Sequence, residues 1–437
     1  MLDFITVIGG GLAGSEAAWQ AAKRGVRVRL YEMRPRTMTP AHKTAYLAEL
    51  VCSNSLRSAD PMTAPGLLKK ELEMAGSIIM EAALESAVPA GSALAVDREV
   101  FSRYITERLT SHPLIEVIHE EVTDIPEGFC IIATGPLTSH ALSRSLGELI
   151  GGEYLYFYDA IAPIVDAETI DYSRVFSASR YGKGGDDYLN CPMNREEYER
   201  FYSALIEADT VTVRDFEDIK VFEGCMPIEV MARRGPDTLR FGPMKPVGLK
   251  DPRTGREPYA VVQLRVENRE RTAYNMVGFQ TRLRWPEQKR VFRLIPGLER
   301  AEFLRYGSIH RNTFLNGPLF LNKDLSLKAK DTLYISGQIT GVEGYIESTA
   351  MGLLAGINLA RRVRGLSFVE VPPETAHGSL IRYITESEPE GFQPSNINFS
   401  LLPPPEGRVR DKKLRRRLVV ERAISSWKRY LEVIGND

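Results

Sequence analysis

Cysteine is scarce in this sequence. Its 437 residues hold four, Cys52, Cys130, Cys191 and Cys225, and no two stand closer than 34 residues. There is no CxxC or CxxH pair, which argues against a structural zinc site. Such sparse use fits a reducing, cytoplasmic compartment with thiols free. The six histidines (His42, His112, His119, His140, His310, His377) form no motif. Each reads as a surface or packing residue, and no metal is expected. Charge of one sign is also missing: the net charge is −1. The chain as a whole is not a polycation, so contact with nucleic acid must come from local basic patches. Long hydrophobic runs are absent. The apolar start, Phe4 to Ile8, is too short to span a membrane and lacks the basic flank of a signal peptide. Internal repeats and low-complexity tracts are lacking too.

What is present begins at that apolar start. Phe4-Ile-Thr-Val-Ile8 has the composition of a buried strand, and Gly9, Gly10, Gly11, Leu12, Ala13 and Gly14 follow at once. This is G-x-G-x-x-G directly after a strand. Helix-forming residues run from Glu16 to Lys23, Gly25 stops them, and a second strand from Val26 to Tyr31 ends at Glu32. In such a unit Gly9 permits a tight turn and Gly11 lets backbone approach a pyrophosphate. Gly14 lets the helix pack close to the sheet. The helix N-terminus offers free N–H groups to phosphate, and Glu32 is placed to accept from ribose hydroxyls. Dinucleotide binding is therefore expected.

Two distant segments point to FAD rather than NAD. Residues 129–135 read as a strand ending in Ala133-Thr134-Gly135. Residues 333–341 read as a strand followed by a turn through Gly337 and Gln338, with a helical stretch from Ser348 to Arg361 behind it. Both resemble later fingerprints of the glutathione-reductase-like flavoproteins. The resemblance implies an α/β fold: a discontinuous FAD-binding Rossmann domain with an inserted mixed α+β substrate domain. In that superfamily the last motif usually carries Gly-Asp, where this chain has Gly337-Gln338. The flavin domain is assigned to 1–110, 128–150 and 300–370, the insertion to 151–299, and a basic C-terminal extension to 371–437. The insertion is expected to hold strands at Tyr154–Tyr158 and Val261–Val266 and a helix at Glu196–Glu207.

A narrower resemblance rests on Gly337-Gln-Ile-Thr-Gly341, Gly344-Tyr345, Glu347 and Gly352-Leu-Leu-Ala-Gly-Ile-Asn358. These resemble the glucose-inhibited division protein A family of tRNA-modifying flavoenzymes. The larger form acts on wobble uridine through an extra C-terminal helical domain, which this chain is too short to contain. Cys52-Ser-Asn-Ser-Leu-Arg57, Ala90-Gly-Ser-Ala-Leu-Ala-Val-Asp-Arg98 and Phe222-Glu-Gly-Cys-Met-Pro-Ile-Glu229 resemble the shorter form, the folate-dependent tRNA (uracil-54-C5-)-methyltransferases. The likeness runs along essentially the whole chain.

That chemistry needs a thiolate, a base, a methylene donor and a reductant, because C5 of uracil is a poor nucleophile until C6 is attacked. The resemblance implies Cys225 as the thiolate that adds to C6 and Cys52 as the base near the flavin. It also implies methylenetetrahydrofolate as carbon donor, and FAD, recharged by NADH or NADPH, as hydride source. Arg233 and Arg234 follow Cys225, and Arg57 follows Cys52. Each is a candidate to lower a thiol pKa from its usual 8.5 or so. Cys130, within an apolar strand, and Cys191 read as core residues.

For the tRNA elbow two basic segments stand out. Residues 408–437 hold ten Lys or Arg against four Asp or Glu, behind the stiff Pro403-Pro404-Pro405. A helix from Lys412 to Ile434 is expected there, with Leu418, Val419, Ile424, Trp427 and Leu431 as its apolar face. Its basic face suits phosphates, which set affinity rather than sequence choice. The second segment is Arg282, Arg284, Lys289, Arg290 and Arg293, around Trp285. Reaching C5 of a base in the elbow requires extruding the nucleotide. Three rivals remain open at this point: wobble-uridine modification, a flavin thiol–disulfide oxidoreductase, and a flavoprotein that only binds RNA.

Overall fold

The computed structural model describes residues 4–39, 41–151, 155–182, 185–211, 226–268, 270–390, 392–405, 407 and 409–435, with backbone alone for 155–161 and 308–313. Its first sheet has five parallel strands in the order Leu333–Ile335, Cys130–Ile132, Ile5–Ile8, Val28–Tyr31, Ile115–Ile118. Every residue of Ile5–Ile8 is buried, as a central strand covered on both faces requires.

The helices Leu12–Lys23 and Tyr345–Val363 pack on each other with little between them. A Cβ built on Gly352 would lie 2.3 Å from the Ala13 carbonyl oxygen, and one on Gly356 2.5 Å from that of Ala17. These two positions let backbone meet backbone, and they draw both helix N-termini to the carboxyl edge of the sheet. In open α/β sheets that edge is where ligands bind.

A second, six-stranded antiparallel sheet has the order Phe176–Ser177, Tyr188–Met193, Ala260–Val266, Ala273–Met276, Ile164–Asp166, Phe303–Arg305. Its own core packs the helices Arg195–Glu207 and Trp285–Phe292 against that sheet. The first helix opens with a capping box between Asn194 and Glu197, which satisfies two orphan donors at once. Phe303–Arg305 pairs here as the edge strand, with the Phe303 ring 6.3 Å from Phe292. Chain drawn at the sequence level with the flavin segments thus belongs to the second sheet. Val88, Ala90 and Ala95, from the first segment, also pack in the second core. Leu155–Ile161 and Ser308–Phe314 form a two-stranded antiparallel link between the halves.

The C-terminal helix, Lys412–Gly435, docks on the first core through Val419, Val420, Ala423, Trp427, Tyr430 and Ile434. Leu418, expected on the apolar face, is exposed; the buried stripe begins one residue later. Trp427 fixes that rotation. Its Nε1 donates to the Glu71 carbonyl at 2.7 Å, and its ring stacks on His377 at 4.2 Å. The Glu71 carboxylate in turn meets His377 Nδ1 at 2.7 Å and accepts from the N–H groups of Ala376 and His377. Among the described residues no helix is long and apolar enough to cross a membrane.

Candidate functional site

A cleft opens at the carboxyl edge of the first sheet. Gly9, Gly11, Leu12, Ala13, Glu32, Ala133, Thr134, Gly135, Gly337 and Gln338 all line it. Three segments hundreds of residues apart in sequence are therefore brought to one cavity. The two remaining fingerprint residues stand behind its wall. Gly10 donates its N–H to Glu32 Oε2 at 2.9 Å. Gly14 lies so close to the strand turn that a Cβ would sit 1.8 Å from the Gly9 carbonyl oxygen.

The cavity fits a dinucleotide phosphate. A Cβ on Gly11 would meet no protein atom within 4 Å, so the space above it is free. The helix it opens has no side-chain cap, and neither does the helix that starts at Tyr345. The first N–H groups of both have no intrahelical partner, and the cavity wall carries Leu12, Ala13, Tyr345 and Ser348 from these turns. Donors and dipole ends of this kind suit an anion.

Glu32 is more constrained than its motif position suggests. It accepts from the N–H of Gly10 and from the N–H, Nε and Nη2 of Arg34. Burial raises its pKa, but the Arg34 bonds and charge and the Gly10 N–H outweigh this and hold it below the usual value. Four donors occupy a carboxylate with about four acceptor sites, so a ribose hydroxyl has to share one. Arg34 also reaches Glu49 at 3.2 Å. Beside this network His42 lines the cavity, though no motif marks it. Burial and the Arg34 charge push its pKa down to about 4, so its imidazole is neutral at pH 7. Gln338 donates to Glu343 at 2.8 Å, and Thr134 bonds Thr138 at 2.6 Å.

Cys52 is half-buried and sits beside the cavity, whose wall includes its neighbours Val51 and Tyr345. Its segment is clamped from several directions. The Tyr345 hydroxyl accepts from the N–H of Cys52 at 2.7 Å and of Ser53 at 3.2 Å. Arg98 donates to the carbonyls of Leu50 and Cys52. Buried Asn54 donates to Val96, Val266 and Glu267 carbonyls and accepts from Arg265. Arg265 and Arg305 both interact electrostatically with Cys52. Arg57, the sequence candidate, turns instead to Glu347 at 3.2 Å and to Asn396. The cations around Cys52 thus come from 98, 265 and 305. Of these only Arg98 lay in a quoted motif, and no spacing rule links the three.

Cys225 lies outside the described residues. The residues flanking 212–225 are described: the Val211 N–H donates to the Arg282 carbonyl at 2.9 Å, and the Ile228 N–H to that of Gln280 at 2.7 Å. Cys130 and Cys191 are fully buried, and burial raises both thiol pKa values, that of Cys130 to about 12. They are core residues, as their strands implied.

The two basic segments differ. Lys412 through Arg417 occupy exposed opening turns of the C-terminal helix. Around Trp285, Arg290 pairs with Glu287, Lys289 and Arg293 pair with Glu302, and Arg282 approaches Glu229. Much of that second patch is internally neutralised.

Residues 4–367 match the family model for glucose inhibited division protein A. The methylenetetrahydrofolate–tRNA-(uracil-5-)-methyltransferase TrmFO of Moorella thermoacetica is 60% identical over all of both chains. That of Geobacter sulfurreducens is 60% identical over 99% of this chain and all of its own. Among solved structures, GidA of Aquifex aeolicus aligns with a TM-score of 0.70 at 17% identity, covering 98% of this chain and 73% of that one. The chain belongs to the glucose inhibited division protein A family, in its branch of methylenetetrahydrofolate–tRNA-(uracil-5-)-methyltransferases.

Proposed function

We propose that this chain methylates C5 of uridine 54 in the tRNA elbow, with methylenetetrahydrofolate as carbon donor. One observation carries the reading. A chain 60% identical to such a methyltransferase along its full length also holds a glycine-lined anion cavity with a clamped cysteine beside it.

Gly9, Gly11, Leu12, Ala13, Ala133, Thr134, Gly135, Gly337 and Gln338 would hold FAD, with Glu32 sharing a lone pair with its ribose. Bound there and recharged by NADH or NADPH, FAD would supply hydride chemistry, the reduction that a one-carbon unit needs to end as a methyl. Cys225 adds as thiolate to C6 of uracil, which makes C5 nucleophilic. Cys52 takes the C5 proton onto its sulfur. Arg98, Arg265 and Arg305 favour the thiolate form of Cys52, and Tyr345 and Arg98 fix its backbone. Lys412, Lys413, Arg415, Arg416 and Arg417 contact tRNA phosphates at a helix N-terminus, where the dipole adds to their charge. The substrate unit is the second sheet with its helices, and the enzyme works in the cytoplasm.

The test is direct. Purified protein is incubated with undermodified tRNA, methylenetetrahydrofolate and NADPH, and nucleosides are analysed for 5-methyluridine. Product from the wild type and none from Cys52→Ala or Cys225→Ala supports the reaction and both roles. FAD-loaded, tRNA-binding protein that forms no 5-methyluridine refutes it.

A further inference from the structure

Trp285 is 63% exposed, an unusual position for the largest side chain. Its ring is not loose. One face stacks on Tyr306 at 5.2 Å between centroids and 15° between planes, and Tyr306 stacks on Phe303 at 5.5 Å and 27°. Buried Gln288, one turn along the same helix, locks this ladder. Its amide donates to the carbonyls of Leu283 and Gly307 and accepts from the Gly307 N–H. Trp285 therefore offers an open flat face in a fixed orientation, and the restraint is built from both sides.

The surroundings say what that face takes. Arg284, Arg233 and Arg234 are exposed, with no carboxylate ion-pair partner among the described residues. Arg233 is close enough to depress the pKa of Arg282, after burial, which is the main cause. Beside the ring, Arg284 is thus an exposed cation with no ion-pair partner among the described residues, suited to a phosphate rather than to an apolar protein face. The chain just before Trp285 accepts from the N–H groups of Val211 and Ile228, through the Arg282 and Gln280 carbonyls. The strand before Tyr306 carries Arg305, which senses Cys52.

We infer that Trp285, backed by Tyr306, is a stacking platform for an unpaired nucleobase of the RNA substrate. The inference rests on the tRNA reading above. Every base has a π-face, so stacking on a fixed indole holds an extruded loop without reading its sequence. The neighbouring Arg284 meets a phosphate of the same loop.

The experiment compares wild type, Trp285→Phe and Trp285→Ala as FAD-loaded full chains. Undermodified tRNA is first titrated without folate while tryptophan emission is read. Methylation is then measured with tRNA and with methylenetetrahydrofolate as the varied substrate. The expected results are quenching in the wild type that is lost in Trp285→Phe, and a KM for tRNA raised about ten-fold in Trp285→Ala. Trp285→Phe should recover most of that loss, with the KM for folate and the FAD content unchanged. An unchanged KM for tRNA in Trp285→Ala overturns the platform. So does a rise confined to the folate KM, which would give the ring to the pterin, or to binding of a protein partner alone. Wild-type protein that forms no 5-methyluridine yet shows Trp285-dependent quenching by tRNA would sink the methylation reading and leave the platform standing.

Discussion

Replacing Gly11 with alanine separates the cost of a methyl group to the protein from its cost to the cofactor. The Gly11 backbone is extended, at φ −74° and ψ −168°, which alanine adopts without strain. The new Cβ meets no protein atom within 4 Å. The unfolded chain loses freedom, worth roughly 0.4–1 kcal/mol in favour of folding, while alanine is poorer than glycine as an N-cap by a similar amount. Stability of the cofactor-free protein should therefore stay within about 0.5 kcal/mol of wild type. FAD binding should not. The methyl would stand where a pyrophosphate oxygen approaches the helix N–H groups, and each hydrogen bond to a charged group lost there costs about 1.5–3 kcal/mol. FAD affinity should fall at least ten-fold. Gly14→Ala is the contrasting variant. Its Cβ would lie 1.8 Å from the Gly9 carbonyl oxygen, so the cofactor-free protein itself should lose roughly 1–3 kcal/mol or more. Denaturant midpoints of stripped protein and FAD titration followed by flavin fluorescence measure both quantities. Gly11→Ala protein that binds FAD as tightly as wild type would refute the placement of the pyrophosphate, and early unfolding of that variant would refute the steric premise.

Arg57→Ala should cost about 1–3 kcal/mol of stability by leaving buried Glu347 unpaired, with the alkylation rate of Cys52 unchanged. Arg98→Lys keeps the charge but loses the fork on the Leu50 and Cys52 carbonyls, and should lower kcat with little change in KM for tRNA. Trp427→Ala should cost about 3–5 kcal/mol and weaken tRNA binding, read by melting and by filter binding. Changing Lys412, Lys413 and Arg416 together to Gln should reduce the salt slope of tRNA affinity by about one per charge removed and leave single-turnover chemistry intact. The pH dependence has a definite sign. His42 takes its proton near pH 4 when folded and near the ordinary imidazole value of 6.5 when unfolded. The unfolded chain thus binds more protons between those values, and the stability held above pH 6.5 is lost as pH falls toward 4. Denaturant midpoints across that window should flatten in His42→Gln.

The N-terminal unit was legible because its signals are local. The strand read at 4–8 is Ile5–Ile8, the strand read from Val26 is Val28–Tyr31, and Val261–Val266 and Glu196–Glu207 differ from the structure by one residue at one end. Glycine spacing and apolar runs report what a residue needs from its own neighbourhood. The surroundings of Cys52 were not legible, because Arg98, Arg265, Arg305 and Tyr345 arrive from four elements whose meeting is decided by tertiary packing. Arg57, nearest in sequence, is carried away because its backbone turns left-handed at φ 66° and buried Glu347 claims its charge. The Glu71–His377–Trp427 cluster escaped for the same reason: its members are separated by more than 300 residues at the extremes.

The two cores meet around Cys52. The cavity and both uncapped helix ends belong to the parallel-sheet half, locked together where Gly352 and Gly356 admit Ala13 and Ala17, whereas the clamp on Cys52 draws on both halves: Asn54 donates to the Val266 and Glu267 carbonyls and accepts from Arg265. The Arg282 and Gln280 carbonyls and the Trp285 ladder belong to the antiparallel half. A two-stranded ribbon is one of the few covalent bridges between them. A shift of the antiparallel half would therefore carry Arg265, Arg305 and the carbonyls that hold Asn54 with it, and the setting of Cys52 beside the cavity would move as well.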